Sequence, residues 1–198
     1  MATAKQVQRM TAAEYLRIER AAETKSEFWD GQMWAMAGGT RFHSIIKVNV
    51  ASELRGKLKE GSCQVFDSDM RVKIEMADAY AYPDVSVACG EQQFENETCD
   101  VLLNPTVIVE VLSSASEVYD RTSKFDLYRR IPSLQEYILV KQDKPHIGQY
   151  IRQADGGWLL RDVDGLDASL ILPSVQIEVA MREIFSKVKF ELVERGRK

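Results

Sequence analysis

Few residues in this 198-residue chain have both the type and the setting for chemistry, and most of those are carboxylates. Asp84 follows Pro83 within the apolar run Tyr82 to Ala88, and Glu110 stands inside another, Thr106-Val-Ile-Val-Glu-Val-Leu112. The second run is rich in β-branched residues and reads as a central strand. Alternation along it puts Val107, Val109 and Val111 on one face and Ile108 and Glu110 on the other, so an acid sits in an otherwise apolar strand. Burying that charge is costly unless it is paired or bound to metal, and hard divalent cations take carboxylate and carbonyl oxygens. Asp84, Glu110 and the main-chain carbonyl of Val111 are therefore candidate ligands for one Mg²⁺ or Mn²⁺. Such an ion lowers the pKa of a bound water and stabilises charge on a phosphate under attack. The competing structural reading makes Asp84 an ordinary acid after proline and Glu110 one half of an ion pair.

Four other residues extend the set. Glu27, on a hairpin, reads either as a third carboxylate near the cation or as a solvent-facing strand residue. His43, near the amino end of a helix, reads first as a packed or capping side chain and second as a ligand or base. Lys124 reads as a surface bridge to Asp120 four residues earlier, worth a few tenths of a kcal/mol, or as an ammonium reaching the space above Glu110. Tyr128 lies one turn further along the same edge. A serine hydrolase is excluded: Ser113, Ser114 and Ser116 follow a strand, but there is no G-x-S-x-G elbow and the chain has 2 histidines. No P-loop and no G-x-G-x-x-G occurs. Gly38-Gly39 ahead of a helix suits either an anion at the helix end or a plain strand-to-helix turn.

These residues need elements to hold them. Thr11-Ala-Ala-Glu14 has the form of a capping box and predicts a helix to about residue 22. Residues 25–29 and 32–37 flank Asp30-Gly31, which suits a type I′ hairpin turn. Phe42, Ile45, Ile46, Val50, Leu54 and Leu58 recur at three and four and predict a helix over 41–60. Strands follow over 64–74, 82–88 and 106–112, with an acidic loop over 90–104 as a candidate mobile flap. A helix over 117–131 carries Val118, Phe125, Leu127, Tyr128 and Ile131, and a strand runs over 136–140. Turns at Lys144-Pro145 and 154–157 lead into antiparallel strands over 147–152 and 158–163, and an amphipathic segment begins near Val175.

The middle of the chain thus reads αβββαβ, an order that resembles the core of the PD-(D/E)XK nuclease superfamily. There a Pro-Asp opens one core strand, an Asp or Glu lies on the next, and a Lys usually follows two residues later. Pro83-Asp84 and Glu110-Val-Leu-Ser113 match the first two. With Glu27-x-x-Asp30-Gly31, His43, Asp120, Lys124, Tyr128 and Glu136-Tyr137, the pattern resembles an uncharacterised bacterial branch described as putative restriction endonucleases, over about residues 10–185. The resemblance implies a single α/β domain: a restriction-endonuclease-like core with a central mixed sheet and helices on both faces, preceded by a helix and hairpin and followed by antiparallel strands. It implies a Mg²⁺- or Mn²⁺-dependent endonuclease, with Asp84, Glu110 and Lys124 catalytic and Glu27, His43 and Tyr128 as additional site residues. One departure stands out: Leu112 occupies the place of the usual lysine, and Lys124, on the following helix, resembles the migrated lysine of some superfamily members. The alternative that departure allows is a weak or inactive nuclease fold acting in nucleic-acid or protein binding.

Composition bounds these readings. With 45% hydrophobic and 28% charged residues the chain can bury a core, and a net charge of −4 argues against a protein that coats nucleic acid by bulk electrostatics. DNA remains the expected partner through a local cleft, and a homodimer is expected by analogy with nucleases that cut both strands. No apolar run is long enough for a membrane helix and Met1 to Met10 has no signal-like stretch, so a cytoplasmic protein is expected. Cys63, Cys89 and Cys99 show no C-x-x-C spacing and are expected as reduced thiols.

Overall fold

A computed structural model describes residues 9–36, 38–113 and 116–190. Ala37 and Ser114 lie outside the described residues. The first helix, α1 (Ala12–Glu19), has the expected capping box at Thr11 and Glu14. The hairpin of β1 (Ser26–Trp29) and β2 (Gln32–Ala35) turns through Asp30 and Gly31, both at positive φ, 51° and 72°. The helix α2 (Arg41–Leu58) is capped by the Thr40 hydroxyl and buries Ile46, Val50, Leu54 and Leu58, the stripe predicted from spacing.

The expected strand over 64–74 is two strands in two sheets. β3 (Cys63–Asp67) ends at a turn in which Met70 donates to the Asp67 carbonyl, and β4 (Arg71–Ile74) leaves in another direction. β5 (Ala79–Ala81), β6 (Val85–Cys89), β7 (Val101–Leu102) and β8 (Val107–Leu112) follow. The helix expected over 117–131 is α3 (Glu117–Tyr119), a π-helical turn over Asp120–Lys124, and α4 (Phe125–Tyr128). Val118, assigned to its buried face, is 75% exposed, because the π turn shifts the register before the apolar stripe is reached. The C-terminal part comprises β9 (Glu136–Lys141), β10 (His146–Arg152), β11 (Trp158–Asp164), β12 (Ser169–Leu172), β13 (Ile177–Ala180) and α5 (Met181–Ile184).

The strands form a six-stranded mixed sheet, β11-β10-β9-β8-β6-β3, and a five-stranded sheet, β2-β1-β5-β4-β7, with β12 and β13 paired separately. β8 is central in the larger sheet, parallel to β9 and antiparallel to β6. Its valines pack with α2 and the C-terminal hairpin on one face, while Ile108 and Leu112 pack with Tyr128 and Leu134 on the other. The alternation read from sequence holds, with helices on both faces.

Two further expectations are corrected. Cys63 and Cys89, read as reduced thiols, form a disulfide: the β3–β6 register makes them direct cross-strand partners with Cα atoms 3.9 Å apart, a neighbourhood invisible in a spacing of 26 residues. Only Cys99 is a free, exposed thiol. The acidic loop over 90–104 is tied down rather than a free flap. Phe94 bridges Leu102, Glu95 pairs with Lys73, and Asp100 pairs with Arg20.

Candidate active site

The register Val85↔Val109 between β6 and β8 sets Asp84 beside Glu110 at the end of the ladder. Pro83, having no N–H, precedes the strand rather than joining it. The two acids are linked through the backbone: the Val111 amide donates to Asp84 Oδ2 at 2.8 Å, and the Asp84 amide to Glu110 Oε2 at 3.4 Å. The Val111 backbone thus reaches Asp84 through its N–H.

Lys124 crosses from the other side. Its Nζ lies 2.9 Å from Glu110 Oε1, 3.0 Å from Glu27 Oε1 and 3.8 Å from Asp120 Oδ1. The surface-bridge reading is thus overturned, since Lys124 and Asp120 are the two buried residues of the π turn and both face inward. A π turn adds one residue to a helical turn and is frequent at functional sites. Glu27 is buried as well, against its solvent-facing reading. β1 pairs with β5 at Phe28↔Tyr80, and the Tyr82 amide donates to Glu27 Oε1 at 3.4 Å. Tyr128 donates its hydroxyl to Glu110 Oε1 at 3.0 Å. His43, in the first turn of α2, sets Nε2 3.1 Å from Asp84 Oδ2, so it faces the acids instead of serving as a cap.

Glu27, His43, Asp84, Glu110, Lys124 and Tyr128 therefore come together, and Asp120, read from sequence as a surface partner of Lys124, adds a fourth carboxylate. Four acids, Glu27, Asp84, Glu110 and Asp120, share one ammonium and one imidazole in a buried space. Burial, reinforced by Asp84, Asp120 and Glu27 and only partly opposed by Lys124, pushes the Glu110 carboxyl up to about 8. Burial also raises Asp120. It works against the Lys124 charge, yet Glu110 and Glu27 outweigh it and hold the ammonium protonated well beyond its usual range.

Among the described residues, no three His, Cys, Asp or Glu side chains already form a cation shell, and Lys124 lies between Glu27 and Glu110. The donor chemistry nonetheless fits a hard divalent cation. The acidic side chains offer carboxylate oxygens, with more negative charge than Lys124 balances.

Residues 12–182 match the Uma2 family model, described as "Putative restriction endonuclease". Two uncharacterized proteins of Synechocystis sp. are similar. One is 35% identical over 92% of this chain and 94% of its own length, and the other 37% identical over 81% and 91%. A crystal structure of a "putative nuclease belonging to DUF820" from Anabaena variabilis superposes with a TM-score of 0.74 at 21% identity, covering 89% of this chain and 98% of that one. At that identity the likeness establishes the nuclease-like fold.

Proposed function

The chain belongs to the Uma2 family, and from that premise we propose that it is a metal-dependent DNA endonuclease hydrolysing phosphodiester bonds at Asp84 and Glu110. The observation that carries this reading is the buried excess of carboxylates around a single lysine, on a larger sheet whose elements follow in the chain order α2, β3, β6, β8, α3–α4, β9.

Asp84 and Glu110, with Glu27 nearby, are the residues that would hold Mg²⁺ or Mn²⁺. Such an ion, when bound, supplies an acidified water and neutralises phosphate charge. Lys124 takes the part that Leu112 cannot. Its ammonium orients the attacking water and offsets charge developing on the phosphate. Tyr128 holds Glu110 Oε1, and the Val111 amide holds Asp84, so both carboxylates are positioned before substrate arrives. His43 steadies Asp84 from the amino end of α2, where the helix dipole favours an approaching phosphate.

Supercoiled plasmid nicking in Mg²⁺ or Mn²⁺, with an EDTA control, tests the reading. Cleavage should require metal, and calorimetric Mn²⁺ binding should be lost in Asp84→Ala and in Glu110→Ala. Unchanged Mn²⁺ binding by the double variant would overturn it.

A further inference from the structure

The β1–β2 register pairs Glu27 directly with Trp34, so the indole lies on the hairpin face that carries the buried acid. Trp29, two residues after Glu27, shares that face and stacks on Trp34 with centroids 5.7 Å apart and planes 21° apart. Tyr119, immediately before Asp120, tilts against Trp29 at 6.5 Å. Trp29 and Tyr119 also pack around one narrow crevice with Glu27 and Lys124, which makes the aromatic cluster continuous with the acid site. The outer indole is not packed away: Trp34 is 45% exposed on β2, the edge strand of its sheet. The Trp29 Nε1–H is buried with no acceptor among the described residues, a further donor at the base of the stack.

An open aromatic face is costly to leave in water, and here it lies one strand spacing from Glu27, at the edge of the acid cluster. A nucleobase is separated from its own phosphate by a single sugar. Aromatic faces beside a backbone-binding groove are how proteins hold unpaired bases, because every base has a π-face that a paired, stacked base does not offer. Resting on the nuclease reading, we propose that Trp34, backed by Trp29, stacks an unpaired nucleobase beside the scissile phosphate, and that the substrate is single-stranded or locally unpaired DNA.

The test is fluorescence anisotropy with oligodeoxythymidylate of about ten nucleotides and with a duplex of similar length, in EDTA so that no cleavage intervenes. The wild type should prefer the single strand. Trp34→Ala should weaken single-strand binding about ten- to a hundredfold and Trp34→Leu nearly as much, whereas Trp34→Phe should stay within about threefold, and duplex binding should not move. Equal affinity of Trp34→Ala and wild type for the single strand would overturn the proposal. So would the same weakening in Trp34→Phe as in Trp34→Ala, or a wild-type preference for duplex. The two readings fail separately. Binding that follows the aromatic series without metal-dependent nicking removes the nuclease and keeps the stacking site, while nicking with a flat aromatic series does the reverse.

Discussion

Two buried charged networks meet at Tyr82, and they are balanced in opposite senses. On the hydroxyl side, Tyr82 accepts from Arg71 Nε and Nη2 at 2.9 and 2.6 Å and donates to Glu19 Oε1 at 3.0 Å, while Arg71 and Arg20 share Asp100. Two guanidiniums there meet two carboxylates. On the amide side, Tyr82 donates to Glu27, one of three acids around Lys124. The first network is a pin: it fastens α1 and the loop over 90–104 to the five-stranded sheet. The second is poor in positive charge, an arrangement that folding alone does not reward. Under the proposed function, the comparison separates charge kept for structure from charge kept for a ligand.

The largest expected contrast is in cleavage. Glu110→Gln should lower metal-dependent nicking at least about a hundredfold, the scale of losing a main transition-state stabiliser. Arg71→Met, measured below its lowered melting temperature, should leave turnover within about threefold of wild type. Comparable losses in both would break the distinction between the two networks.

The next contrast is in stability. Arg71→Met takes both guanidinium donors from the buried Tyr82 hydroxyl and leaves Asp100 with Arg20 alone, and should cost about 2 kcal/mol in urea unfolding. Glu110→Gln should do the opposite in metal-free protein, gaining about 2 kcal/mol at pH 8 by removing one of several crowded like charges. The sign follows from linkage. A carboxyl raised to about 8 in the folded state binds its proton more tightly there than in the unfolded chain, so stability falls as pH rises from the ordinary carboxylate range to about 8. In EDTA the wild type should show that decline and Glu110→Gln should not. A flat wild-type profile over this window would show that Lys124 alone compensates the cluster.

Much of the site was legible because it depends on short-range patterns. Alternation along β8 placed Glu110 on the face of Ile108, and helical spacing placed Lys124 and Tyr128 on one edge. The burial of Glu27 was not legible, since it follows from β1 pairing with β5 more than fifty residues away. The Cys63–Cys89 bridge depends likewise on the β3–β6 register. The π turn over Asp120–Lys124 has no propensity signature, and it is what turns Asp120 inward. Fold order was read correctly where strands are bounded by turn residues. It was not where Asp67 to Met70 breaks a continuous alternation into two sheets.

The smallest effect belongs to the exposed edge of the balanced network. Arg20 grips Asp100 through Nε and Nη2 at 2.8 and 3.1 Å, and the Thr98 hydroxyl adds a bond at 2.7 Å. The Arg20 hydrogen bonds, with help from Thr98 and Arg71, hold the Asp100 carboxyl well below the usual range. A carboxyl depressed in the folded state binds its proton less tightly there than in the unfolded chain. Its contribution is therefore present above the ordinary carboxylate pKa and is lost as pH falls below about 4. Because Arg20 is 39% and Asp100 31% exposed, solvent screening holds that contribution to at most about 1 kcal/mol. Asp100→Asn should thus lower stability slightly at pH 7 and reduce the acid limb of the profile, to which Asp69 and Glu117 also contribute, leaving the decline between pH 5 and 8 that Glu110 produces. The two windows do not overlap, so one pH titration of wild type and both variants reads the two networks independently. An acid limb of unchanged size in Asp100→Asn would assign it wholly to other carboxylates and remove Asp100 from the pin.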